Sequence, residues 1–398
     1  MDVYLLDWAN LLLRWAHVIT AIAWIGSSFY FVFLDSSLTK PTAPDLVAKK
    51  VDGELWAVHG GGFYNPQKYL VSPPSLPQNL HWFYWESYST WLTGFALFTA
   101  LYLFNAGTYL IDKSVYDWSA GAAIAAALAF LGVFWLIYDM VCRVFGQRPD
   151  GERLVGIIIT LVVAFAAWAA CQLFAGRAAF LLVGAMMATA MSANVFFWII
   201  PGQRTVVEQL RAGQAPDPVH GQRGKQRSVH NTYFTLPVLV AMISNHYGWL
   251  TGAAHNWLVL VALMLAGALI RYSFVARHKA HVEGRSAPWG YAVAGCVLLL
   301  ALAVALAPKP APAVAAQAPV SFAQVKAVID QRCVLCHNAQ VQNKGVALHT
   351  PELVSQHAAA VVQQAVVQRA MPMNNATQMT DAERELLRRW MQEGASIR

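Results

Sequence analysis

The sequence predicts an all-α protein: an eight-helix transmembrane bundle followed by a small soluble helical module. Three observations carry this prediction. The 398-residue chain is 57% hydrophobic and only 12% charged, about half the charged fraction of an ordinary soluble domain. Its apolar residues gather into runs of roughly the 20 residues that a helix needs to cross a bilayer. Beyond residue 320 those runs cease, and apolar residues at helical spacing continue in a soluble composition.

The runs fall near 8–34, 84–106, 118–141, 154–175, 178–200, 231–248, 255–275 and 288–307. Together they make a membrane domain over 1–307. Residues 308–320, rich in Pro and Ala, suit a semi-rigid linker to a last domain, 321–398. Lys and Arg concentrate in the loops after the first, third, fifth and seventh runs. Lys49, Arg143, Arg148, Arg223, Arg227, Arg271 and Arg277 are among them, against Arg14, Lys113, Arg177 and Lys309 on the other side. Positive loops stay in the cytoplasm, so both termini are expected outside, in the periplasm. The net charge of +7 is thereby spread over loops, and no nucleic-acid partner is expected. Asp2 and Asp7 flank the start where a signal peptide would be basic, so the eighth helix is expected to carry the tail across the bilayer.

Cys333-Val334-Leu335-Cys336-His337 carries the strongest chemical signal. C-x-x-C-H attaches a c-type haem: both thiols form thioethers to one porphyrin, and the His ligates the iron. Cys142, Cys171 and Cys296 stand singly in apolar runs and read as small buried hydrophobes. The 321–398 segment is therefore expected to be a class I-like cytochrome c domain with one covalent haem c. A stripe of Phe322, Val325, Val328 and Ile329 leads into the motif. Thr380-Asp381-Ala382-Glu383 reads as a capping box opening a last helix, with Leu386, Leu387 and Trp390 on its apolar face. Met371, just before Pro372, is the expected sixth ligand; Met373, Met379, His349 and His357 are the alternatives. Haem is attached outside the bacterial cytoplasm, which agrees with the charge bias.

Polar residues inside the apolar runs are candidates for function, because burying them in a membrane is costly. Arg14, His17, Trp24, Asn245, His246 and His255 fall toward the outer side. His17 with His246 or His255 is a candidate pair for a haem b; hydrogen-bonded core histidines are the competing reading. On the inner side stand His81, Trp82, Glu86, Gln203, Arg204 and His230, which an interfacial aromatic belt with helix caps would also explain. His59 with Gly60, Gly61 and Gly62 reads as a flexible loop, and His278 and His281 as solvated loop residues.

Several stretches resemble a bacterial family of membrane-bound urate oxidases (urate hydroxylases) that join an eight-helix domain to a cytochrome c tail. They are Arg14-Trp15-Ala16-His17, Ala23-Trp24-Ile25-Gly26-Ser27-Ser28-Phe29-Tyr30, Asn194-Val195-Phe196-Phe197, Ile200-Pro201-Gly202-Gln203-Arg204, His230-Asn231-Thr232-Tyr233, Leu236-Pro237 and Ser244-Asn245-His246-Tyr247. Gly202 is a mild departure. The likeness spans 1–307. It implies oxidation of urate to 5-hydroxyisourate in purine catabolism. Water supplies the oxygen, and electrons pass to haem c and on to a soluble cytochrome c or terminal oxidase of the inner membrane. Urate is a planar monoanion at pH 7 and needs an aromatic face, an Arg or amide fork and a base for water. Arg14, His17, Trp24, Asn245 and His246 meet that need on the outer side; His81, Trp82, Glu86, Gln203 and His230 are the inner alternatives. A quinol-oxidising cytochrome b–c fusion and a plain electron carrier are the rival functions.

Overall fold

The computed structural model describes residues 2–70, 72–307 and 318–397. Of the expected linker, 308–317 lies outside the described residues, as does Lys309. The protein is mostly helical. Helix α1 (Asp2–Ser37) is followed by α2 (Trp85–Phe98), which continues through a π-helical turn, Thr99–Leu103. Then come α3 (Ala120–Phe145), α4 (Gly151–Leu173), α5 (Gly176–Arg211), α6 (Pro218–Ile243), α7 (Asn256–Val282) and α8 (Trp289–Ala305).

Among the described residues five helices are long and apolar enough to cross a bilayer: α1 from Asp7, α3, α4, α5 and α7. They mark a multi-pass membrane protein. Helices α2, α6 and α8 occupy the other three expected positions. Helix α2 is short and α8 has 17 residues, while α6 opens on a polar stretch. That polar stretch is helical where the sequence suggested a loop. Asp217 caps it by accepting from the Val219 N–H, and Pro218 sits in the first turn, where its missing N–H costs nothing. Arg227 and Arg271 therefore lie inside α6 and α7 rather than in loops. Arg143, Arg223 and Arg277, counted with the loops above, likewise lie inside α3, α6 and α7.

Helix α5 is the centre of the bundle. Phe180, Leu182, Val183 and Met186 are fully buried in it, and Ala123, Ala127, Ala167 and Ala170 of α3 and α4 let the helices approach closely. Another π-helical turn, Val195–Ile199, interrupts α5 just before Pro201. The wider turn accommodates a residue that has no N–H to donate and whose ring would crowd a regular α turn. Ile157, Leu161 and Phe165 on α4, and Val293, Val297 and Leu300 on α8, are exposed at helical spacing. Large apolar faces of that kind belong against lipid.

The all-α expectation misses one feature. Between α1 and α2, Gly53–Glu54 pairs antiparallel with Gln67–Lys68, and Ala57–His59 with Gly62–Tyr64. The segment read as a flexible glycine loop is the tip of the second hairpin. Gly60 (φ 60°) and Gly61 (φ 80°) take the two left-handed positions that such a turn requires.

In the C-terminal module α9 (Phe322–Arg332) carries a capping box from Ser321 and Gln324, and α10 (Asp381–Gln392) the expected one from Thr380 and Glu383. Their faces meet as their stripes predict, with Val325, Ile329, Leu387 and Trp390 almost wholly buried. Arg332 of α9 donates to Glu383 of α10 at 2.9 Å.

Candidate functional site

The C-x-x-C-H segment begins where α9 ends. Cys333 is half-buried and Cys336 exposed, and burial pushes the Cys333 thiol up to about 12. The His337 Nδ1 lies 3.0 Å from the Val346 carbonyl oxygen. A carbonyl only accepts, so Nδ1 carries the proton and Nε2 keeps its lone pair for a metal. Met371 packs at the edge of the module core, and its carbonyl accepts from the Arg384 guanidinium at 2.9 Å. Met379 is buried in that core. Met373 points the other way: its sulfur accepts from Arg177 of α5 at 3.2 Å. Two thiols at a helix end, an oriented imidazole and Met371 beside an apolar core fit a covalently held haem c.

Arg177 belongs to a wider contact between the module and the membrane domain. Asn374 donates to the carbonyls of Thr108 and Tyr109 at 2.9 and 2.7 Å. Gly248 lies so close that a Cβ there would sit 2.4 Å from the Gln368 carbonyl oxygen. The module thus docks on the end of the bundle where α5 and α7 begin and α6 ends.

At the opposite end lies a buried polar network. Asp139 of α3 accepts from Arg227 of α6 (2.7 Å), from the Trp198 indole of α5 (2.7 Å) and from Arg143 one turn along (2.6 Å). The Arg227 side chain is 3% exposed and that of Asp139 7%, so each ion neutralises the other where water cannot. Asn194 donates to the Tyr138 hydroxyl (3.0 Å) and to Asn231 (2.9 Å), and accepts from Arg227. Asn231 in turn donates to the Met191 carbonyl. The Tyr138 hydroxyl lies 2.8 Å from His230 Nδ1. A cavity of about 200 Å³ borders this network, lined by Cys142, Arg143, Gln147, Trp198, Arg223, Gln226 and Arg227.

The candidates named from sequence are dispersed. His17 lies against α2, with Nδ1 3.1 Å from the Thr90 carbonyl and from the Thr93 hydroxyl. The ring comes so near that a Cβ on Gly94 would meet its Cε1 at 2.8 Å, which explains a glycine in mid-helix. Asn245 accepts from the Tyr102 hydroxyl at 3.2 Å. Arg14 is exposed and bonds Asn10, Trp24 is half-buried, and His246 and His255 are exposed. Among the described residues no hydrogen bond or ring contact joins His17 to His246 or His255. On the other side His81 and Gln203 are exposed, the His81 ring packing on Phe83, while Trp82 is half-buried. Among the described residues no donor reaches one Glu86 carboxylate oxygen, Oε2, which is buried.

Asp139, Asn194, Arg227 and Arg271 were not among the site candidates read from the sequence; Asn231 was, beside His230. The spacings Asp139/Arg143 and Arg227/Asn231, each four residues apart on one helix face, are the signal that could have found four of the network's residues. Arg271 stands between Ala-Leu-Ile and Tyr-Ser-Phe-Val, so apolar sequence on both sides marks it as intramembrane.

Comparison with known proteins gives one match. The family model described as urate oxidase N-terminal matches residues 3–307. No curated protein and no solved structure matches the chain.

Proposed function

The chain belongs to the urate oxidase N-terminal family, and from that premise we propose that it oxidises urate in a membrane and delivers the electrons to a haem c carried by its own C-terminal module. The observation that carries the proposal is the family match over 3–307, joined in one chain to a C-x-x-C-H motif whose histidine is oriented for iron. The reaction is urate plus water giving 5-hydroxyisourate, two protons and two electrons. The eight helices span the inner membrane of a bacterium with both termini in the periplasm, where a soluble cytochrome c or a terminal oxidase accepts the electrons.

Cys333 and Cys336 hold the haem, with His337 and Met371 as its iron ligands. Bound there, it supplies a one-electron acceptor whose potential His/Met ligation raises. The protein's own residues do the rest. Water attacking a purine carbon must lose a proton. Glu86 Oε2, the buried carboxylate oxygen without a donor among the described residues, is free to take it. His17 is the other candidate base: its Nδ1 faces the Thr90 carbonyl, which leaves the Nε2 lone pair free.

Membranes containing the full chain are expected to consume urate and release 5-hydroxyisourate. The Cys333→Ser, Cys336→Ser double variant, which cannot hold haem c covalently, is expected to lose that turnover. Urate left untouched by wild-type membranes would defeat the proposal.

A further inference from the structure

Two arginines are buried inside the membrane-spanning bundle, and they are in opposite states. Arg227 faces Asp139 and Asn194 and has its charge neutralised within the protein. Arg271 of α7 is 8% exposed, yet among the described residues it has no carboxylate partner and no hydrogen-bond acceptor. Its Nε and Nη2 are both fully buried and unpaired. The guanidinium carbon lies over the ring of Phe29 on α1, 3.7 Å from its centre. The side chain of Tyr233 on α6 lies close enough to feel its charge, and Tyr233 stacks on Tyr272.

A buried cation without a counter-ion is strongly unfavourable, and breaking such a pair costs several kcal/mol. An arginine in that state is suited to an anion supplied from outside the chain. The two unpaired nitrogens also define the shape of that anion. Nε–H and Nη2–H form one edge of the guanidinium and point side by side, which suits two adjacent acceptors in a plane. Urate offers them: it is a planar monoanion whose deprotonated ring nitrogen stands next to a carbonyl. A lipid phosphate matches the charge but brings no flat face for the aromatic rings around the site.

We propose that Arg271 is the residue that binds the substrate anion, taking urate edge-on through Nε and Nη2 between α1, α6 and α7. This rests on urate being the substrate. It assigns the anion to Arg271 rather than to the cavity beside Trp198, where Asp139 already balances one of the arginines. Arg271 is also nearer the docked module. It lies 15 residues into α7, about 22 Å along the helix at 1.5 Å per residue. Trp198 lies 21 residues from Arg177, about 32 Å.

The test is equilibrium dialysis of urate against the full-length protein, reduced beforehand so that no turnover occurs. Wild type is expected to bind saturably. Arg271→Gln is expected to weaken binding at least about 30-fold, as for loss of one partner of a buried charge pair. Arg271→Lys, which keeps the charge but not the fork, falls between, and Arg223→Gln at the rival cavity binds as wild type. If Arg271→Gln does not fold, Arg271→Lys and Phe29→Leu decide, both with weakened binding expected. Binding unchanged in the Arg271 variants, or lost in Arg223→Gln instead, overturns the assignment while leaving urate as substrate. No binding by wild type defeats the urate reading itself, and the assignment falls with it.

Discussion

Asp139 is the residue on which the polar network turns, since it holds Arg227, Arg143 and the Trp198 indole at once. Asp139→Asn leaves Arg227 buried without a counter-charge, at an expected cost of about 3–5 kcal/mol. The thermal midpoint of the solubilised protein measures it, and an unchanged midpoint would contradict it. Glu383 gives a second test at this scale. Burial works against its carboxylate, but bonds from the Thr380 N–H and hydroxyl and from the Arg332 guanidinium outweigh that and hold its pKa below the usual value. A depressed folded pKa contributes stability above the unfolded value of about 4.3, and this is lost as pH falls through the folded pKa. Protection of Asp381–Gln392 against hydrogen exchange, relative to the unfolded chain at the same pH, should therefore fall below about pH 4, and Glu383→Gln should weaken that acid dependence. The two residues were not equally legible. The cap around Glu383 spans three positions and can be read from sequence. The Asp139–Arg227 pair joins positions 88 apart, and only the packing of α3 on α5 and α6 reveals it.

Elements follow the same division between local and distant causes. Long apolar runs place α1, α3, α4, α5 and α7, because the bilayer fixes their length. The start of α6 was hidden because hydropathy falls over its first turns, whereas its cap and its proline are local signals that hold the helix there. The π-helical turns of α2 and α5 were not legible, since they depend on what the neighbouring helices admit. The docking segment is also a tertiary product: Met373 and Asn374 look like loop residues until Arg177, Thr108 and Tyr109 meet them. Gly248→Ala tests that contact. Its Cβ would collide with the Gln368 carbonyl, a backbone atom that cannot rotate away. Hydrogen exchange around 368–375 is expected to rise severalfold, and unchanged protection would contradict the docking.

For the whole molecule, the bundle separates two ends. At one, an oriented His337 and Met371 sit in a module that docks through its next residues, Met373 and Asn374. At the other, a neutralised ion network closes the bundle. Between them Arg271 remains uncompensated in α7. Class, the positions of the five long apolar helices and the C-x-x-C-H motif were legible because composition and short spacing carry them. The gathering of charged side chains across helices was not, because the chain brings them together only on folding. The central claim, that urate oxidation feeds the C-terminal module, is tested most directly by adding urate without oxygen to the purified, oxidised full-length protein and recording the haem c spectrum. Haem c is expected to become reduced, with two electrons delivered for each 5-hydroxyisourate formed. A haem c that stays oxidised in the presence of urate would contradict it.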